Sequence, residues 1–117
     1  MNYQIPTNVD NLISQAEEEH LYFKLIEQVN KDFHLANESV DIPLSILPFE
    51  FKNRVQDKIL HLIQHKFGEY LNLLYIIDVS EAEVKKLDGS DLIKLSEQVA
   101  FLVLKREWQK VWFRKYY

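Results

Sequence analysis

His61 and His65 stand four residues apart, the spacing at which two imidazoles on one helical turn can hold a single metal ion. Their neighbours weigh against that use. At about 100° per residue, they share a helical face with two cations, so that Arg54, Lys58, His61 and His65 recur at i, i+4, i+7 and i+11. Cations repel a metal ion, and Asp57 is the nearest carboxylate, on the flank. The strip reads first as a solvated face, next as a shallow anion site, and last as a metal site.

A second metal-like spacing is Glu17-x-x-His20, which in carboxylate di-iron bundles supplies two ligands to the metal pair. That architecture needs a second such motif, and the chain has no other Glu-x-x-His. No metal and no cofactor are therefore expected. Glu19 is the more informative acid. It lies between Ala16 and Phe23 on the apolar side of its helix, where a carboxylate needs a cation or a hydroxyl, or else a proton. Lys52 sits in an equally apolar stripe and is the expected partner in a buried ion pair. A polar pocket or local exposure are the other readings.

Other catalytic devices are missing. With no cysteine, disulfides, thiolate zinc sites and thiol nucleophiles are excluded. Gly68 and Gly89 are the only glycines, which leaves no phosphate-cradling loop and no dinucleotide fingerprint. There is no Gly-x-Ser-x-Gly elbow, and Ser80 and Ser90 read as helix caps. A non-enzyme is expected.

The segment Lys105–Tyr117 interleaves bases with rings. Lys105, Arg106, Trp108, Trp112, Phe113, Arg114, Tyr116 and Tyr117 form the candidate interaction surface. Such a mixture suits single-stranded nucleic acid, an anionic membrane or a partner groove, but Trp108 and Val111 continue the apolar face of Ala100 and Leu104, so most of these rings read first as core and next as contact with a protein partner or a second copy. Charge is uneven along the chain. Residues 1–50 carry nine acids and two bases, giving −7, whereas the last thirteen residues carry five bases against Glu107 alone, giving +4. The basic end can thus dock on the acidic beginning of its own chain. A net charge of −4 weighs against nucleic acid and membrane as partners, because the nonspecific part of such binding depends on cationic surface.

These residues must be positioned by helices. The 117 residues include two glycines and three prolines, too few turn formers for an all-β chain. The pattern predicts an all-α fold, a small antiparallel helical bundle of three long helices plus one short helix in a single domain over 1–117. The first helix is expected from Asp10 or Asn11 to Phe33 or Ala36, with Leu12, Ala16, Phe23, Ile26 and Phe33 on one face. Residues 37–48 form a proline-punctuated loop whose Val40, Ile42, Leu44, Ile46 and Leu47 lie against the core. The second helix starts at Pro48 and carries Phe51, Val55, Ile59, Leu62, Ile63 and Tyr70 on its inner face. It ends or bends at Gly68, with 71–79 read as helix in preference to strand. Ser80-Glu81-Ala82-Glu83 is a capping box opening a short helix to about Leu87. Asp88–Asp91 then starts the last helix, whose stretch Val99–Leu104 is apolar all round and so belongs inside.

The N-terminus lacks the basic start and apolar run of a secretory signal, and a cytoplasmic location is expected. The expected function is a non-catalytic protein-interaction or assembly module, binding a protein partner or a second copy as a homodimer through the C-terminal helix. Its rivals are a nucleic-acid-binding protein using that tail with the Arg54–His65 strip, and a metal-dependent helical-bundle enzyme using His61, His65, Glu17 and His20.

Overall fold

A computed structural model describes residues 2–117 and folds them into six helices with no strand among them: α1 (Val9–Glu18), α2 (Tyr22–Leu35), α3 (Pro48–His65), α4 (Phe67–Ile77), α5 (Glu81–Lys85) and α6 (Leu92–Tyr116). They form a helical bundle organised around α6. At 1.5 Å per residue, its 25 residues span about 37 Å, the full 38 Å length of the molecule. α6 packs on α1, α2, α3 and α4. Val99, Ala100, Val103, Leu104 and Trp108 are fully buried, while Phe101 and Leu102 reach the edge. Among the described residues no helix is long and apolar enough to cross a membrane.

The expected first helix is two helices. α1 is capped by Asn8, whose side chain accepts from the Asn11 amide at 2.8 Å, so it begins earlier than Asp10. It ends in a Schellman turn. His20 takes a left-handed φ of 58°, its amide bonds Glu17 O, and the Leu21 amide bonds Ala16 O at 2.8 Å. Three acids, Glu17, Glu18 and Glu19, crowd this end, where the helix dipole favours cations, and α1 has no base of its own there. Lys115 of α6 supplies one, donating to Glu19 O at 3.0 Å. The break re-phases α2, so Leu25, Ile26, Val29, Phe33 and Ala36 face inward and Phe23 stays exposed. Asn37 and Asp78 close α2 and α4 with the same left-handed turn.

The second break falls at Lys66 (φ −144°, ψ 60°), between α3 and α4, and not at Gly68, which lies inside α4. Residues 71–77 are helical, as expected. Ser80 caps α5 by accepting from the Glu83 amide. Glu83 does not complete the reciprocal box, because its carboxylate reaches Lys105 at 3.2 Å instead; α5 stops at Lys85. Asp91, and not Ser90, caps α6 through the Ile93 and Lys94 amides, while Ser90 is held in the preceding turn by its amide and hydroxyl donating to the Asp88 carboxylate.

The loop 37–48 is held down by polar straps. Asn30 of α2 donates to Ile42 O and accepts from the Ile42 amide, both at 2.8 Å. Tyr22 donates to Ile46 O at 2.7 Å. Ile42 and Ile46 are thereby buried and Val40 partly so, but Leu44 and Leu47 point outward.

Candidate functional site

Helical phase splits the C-terminal half of α6 into a core side and a groove side. Trp108 and Trp112 fall on the core side with Val111, so neither belongs to an interaction surface. Trp108 donates to Gln15 Oε1 at 3.2 Å. Trp112 lies beneath a shell of rings from Tyr3, Phe113 and Tyr116, with centroids 4.6–5.2 Å away. Tyr116 is half-buried and donates its hydroxyl to the Glu19 carboxylate.

The expected Glu19–Lys52 ion pair is therefore not formed. Glu19 is met by Tyr116 and, at 4.0 Å, by Lys115, while Lys52 pairs with Asp10 at 3.6 Å. The reason is the break at His20, which takes Glu19 out of the helical phase assumed for it.

On the other side of α6, Lys105, Arg106, Phe113, Arg114 and Tyr117 line an open groove of about 1230 Å³, completed by the N-terminal segment at Tyr3 and Ile5 and by the turn after α4. Two of its cations are already matched: Arg106 pairs with Asp78 at 3.3 Å and Lys105 with Glu83 at 3.2 Å. Arg114 donates to the neutral Gln28 side chain at 2.9 Å and pairs with no carboxylate among the described residues. Phe113 and Tyr117 stand beside it, and Tyr117 is 88% exposed.

Behind the groove lies a polar cluster that the sequence reading did not single out. Lys110 reaches inward to Asp32 Oδ2 at 2.8 Å and lies 3.2 Å from Glu107 Oε1. Glu107 is 0% exposed, and neither of its oxygens has an aligned hydrogen-bond partner among the described residues. Two ionised carboxylates side by side would repel and leave acceptors facing acceptors. Burial first, and then the neighbouring Asp32 carboxyl, push Glu107 up to about 9 against the pull of Lys110. That shift favours the protonated acid at neutral pH. For Asp32, burial acts upward, but the nearby Glu107, the hydrogen bond and charge of Lys110, and the Gln28 side chain outweigh it and hold the carboxyl below its ordinary range.

An acid–carboxylate pair with a lysine is the raw material of proton-transfer chemistry. Of the three, only Lys110 lines the groove. The signal for Glu107 was present in its spacing, for it falls on the apolar row Ala100, Val103, Leu104, Trp108, Val111.

The pair makes stability depend on pH. Glu107 holds its proton more tightly in the folded chain than in the unfolded one, where it titrates near 4.5. Its stabilising contribution is therefore full below about pH 4.5 and is lost as pH rises through about 9. Glu107→Gln, neutral at every pH, should flatten that loss, by up to about 1.4 kcal/mol per pH unit. Urea unfolding of both proteins at about pH 5, 7 and 9 checks this; parallel slopes would mean that Glu107 is not the titrating group.

The two cations of the Arg54–His65 strip are committed to structure. Arg54 donates to Val40 O. Lys58 reaches Glu38 at 3.0 Å, and Lys66 reaches the same buried carboxylate at 2.6 Å, the Lys66 bond being the main cause holding Glu38 below its usual range. His61 and His65 are exposed, with ring centroids 5.1 Å apart. Among the described residues no three of His, Asp and Glu converge on a metal-sized site, so His61, His65, Glu17 and His20 are not gathered into one centre. No family model, curated protein or solved structure matches the chain.

Proposed function

We propose that this chain is a non-catalytic interaction module whose α6 groove takes an extended partner segment bearing acidic and apolar side chains. The observation that carries the reading is Arg114, an exposed cation without a carboxylate partner among the described residues, which lines the groove with the exposed rings of Phe113 and Tyr117. Aromatic side chains and arginine are enriched at interface cores, whereas lysine is depleted. The remaining groove cations meet Asp78, Glu83 and Asp32 internally. That leaves one strong anchor point, suited to a carboxylate, and too little net cation to grip a long phosphate backbone.

The truncation that a surface tail would invite is the wrong test, since removing residues after Lys105 also removes Trp108, Val111 and Trp112 from the core. Point changes at the groove serve better. A fluorescein-labelled peptide alternating glutamate with leucine and phenylalanine should bind the folded protein, and its lysine-for-glutamate counterpart should not. Arg114→Glu should weaken binding about tenfold or more, and Tyr117→Ser should weaken it as well. Equal binding by the variants removes the groove reading. Tighter binding of single-stranded oligothymidylate, falling steeply with salt, would favour the nucleic-acid alternative.

A further inference from the structure

α4 has an apolar face with nothing on it. Phe67, Leu71 and Tyr75 recur at i, i+4 and i+8, which aligns them on one side of the helix, and they are 56%, 51% and 83% exposed. The adjoining side, Tyr70, Leu73, Leu74 and Ile77, is already buried in the core. The eleven residues of α4 include one charged side chain, Glu69. A helix apolar over two adjoining sides calls for cover on both, and this chain covers one.

We propose that the second layer is α4 of another copy of this chain, packed antiparallel about a two-fold axis near Leu71. Self-pairing fits for two reasons. Rings stand at both ends of the row with leucine at its centre, so antiparallel copies bring Phe67 against the partner's Tyr75 and leucine against leucine, a self-complementary patch as two-fold symmetry requires. Area is the second. The three side chains expose roughly 350 Å² per copy, and a face-to-face pair withdraws roughly 700 Å² from these anchors alone, near half of a standard interface of about 1,600 Å².

Gly68 agrees with this. It lies in the first turn of α4 with an ordinary helical backbone, and a Cβ there would meet nothing within 4 Å. Nothing inside one copy calls for glycine, whereas a second helix laid across this face can approach closest where no side chain stands. The face is separate from the α6 groove, so the two surfaces stand or fall independently.

The test uses the full chain and its lack of cysteine. Light scattering with sedimentation over a wide concentration range should show a monomer–dimer equilibrium. Leu71→Glu, at an exposed position, should abolish the dimer at every concentration reached while circular dichroism and the thermal midpoint of the monomer stay those of the parent. Leu71→Cys should cross-link to itself on mild oxidation, and Tyr117→Cys, in the groove, should not. A parent that stays monomeric at the highest concentration overturns the proposal. So does a dimer that survives Leu71→Glu, and so does cross-linking at Tyr117→Cys in place of Leu71→Cys.

Discussion

Lys110→Ala is expected to cost about 3 kcal/mol of folding stability at neutral pH, far more than an exposed lysine is worth. Among the described residues Lys110 is the one base touching both Asp32 and Glu107, at 2.8 and 3.2 Å. Removing it leaves the Asp32 carboxylate buried with a protonated acid and an amide for company. Breaking a buried pair at one partner typically costs about 3–5 kcal/mol, because the other charge stays behind uncompensated. The partial exposure of Lys110 puts the expectation at the lower end. Asp32→Asn alongside Lys110→Met should recover much of the loss, since it removes the buried charge that Lys110→Ala leaves uncompensated. Urea unfolding at neutral pH measures both. A cost under about 1 kcal/mol for Lys110→Ala would put the contact among ordinary surface ion pairs.

Trp108→Ala should cost more, about 3–5 kcal/mol, which is a large part of the whole stability of a domain of this size, about 5–15 kcal/mol. Trp108 is the largest fully buried side chain, on the row of α6 that faces the core between Leu104 and Val111. Alanine leaves a cavity that helices anchored along their length cannot collapse to fill, and it leaves Gln15 without its indole donor. Trp108→Phe separates the two effects, because it retains most of the apolar volume and loses the hydrogen bond, for a cost of about 1–2 kcal/mol. Thermal and urea unfolding of the two variants should rank Ala well below Phe. Equal and small losses would mean that the indole is not enclosed.

Much of the architecture was legible. The helical periodicity, Pro48 at the start of α3, Ser80 and Asp91 as caps and the enclosed middle of α6 all follow from local rules. The breaks did not follow, and for one reason. Each depends on a residue other than glycine. His20 turns left-handed where glycine is the usual occupant, so an unbroken periodic run from Asp10 to Phe33 concealed the end of α1. Lys66 ends α3 while its side chain is held by Glu38, so the nearby Gly68 drew the boundary to itself.

The site was legible in part. Charge asymmetry correctly suggested a basic end resting on an acidic beginning, and Lys110–Asp32 and Lys115–Glu19 are those contacts. What a linear reading could not supply was Glu38. Its two lysines stand 20 and 28 residues further on, across a loop that no periodicity describes. The Arg54–Lys58 strip looked like a free cationic face because the chain that covers it, around Val40 and Glu38, has no pattern of its own.

The position of α6 also orders the way the core can close. It follows the other helices in the chain, and α1, α2, α3 and α4 all pack on it. During translation, at about 5–20 residues per second, those four helices are made before the helix that covers their apolar faces. Until the stretch Val99–Trp112 has been added, the chain holds the apolar residues of a core that lacks its centre.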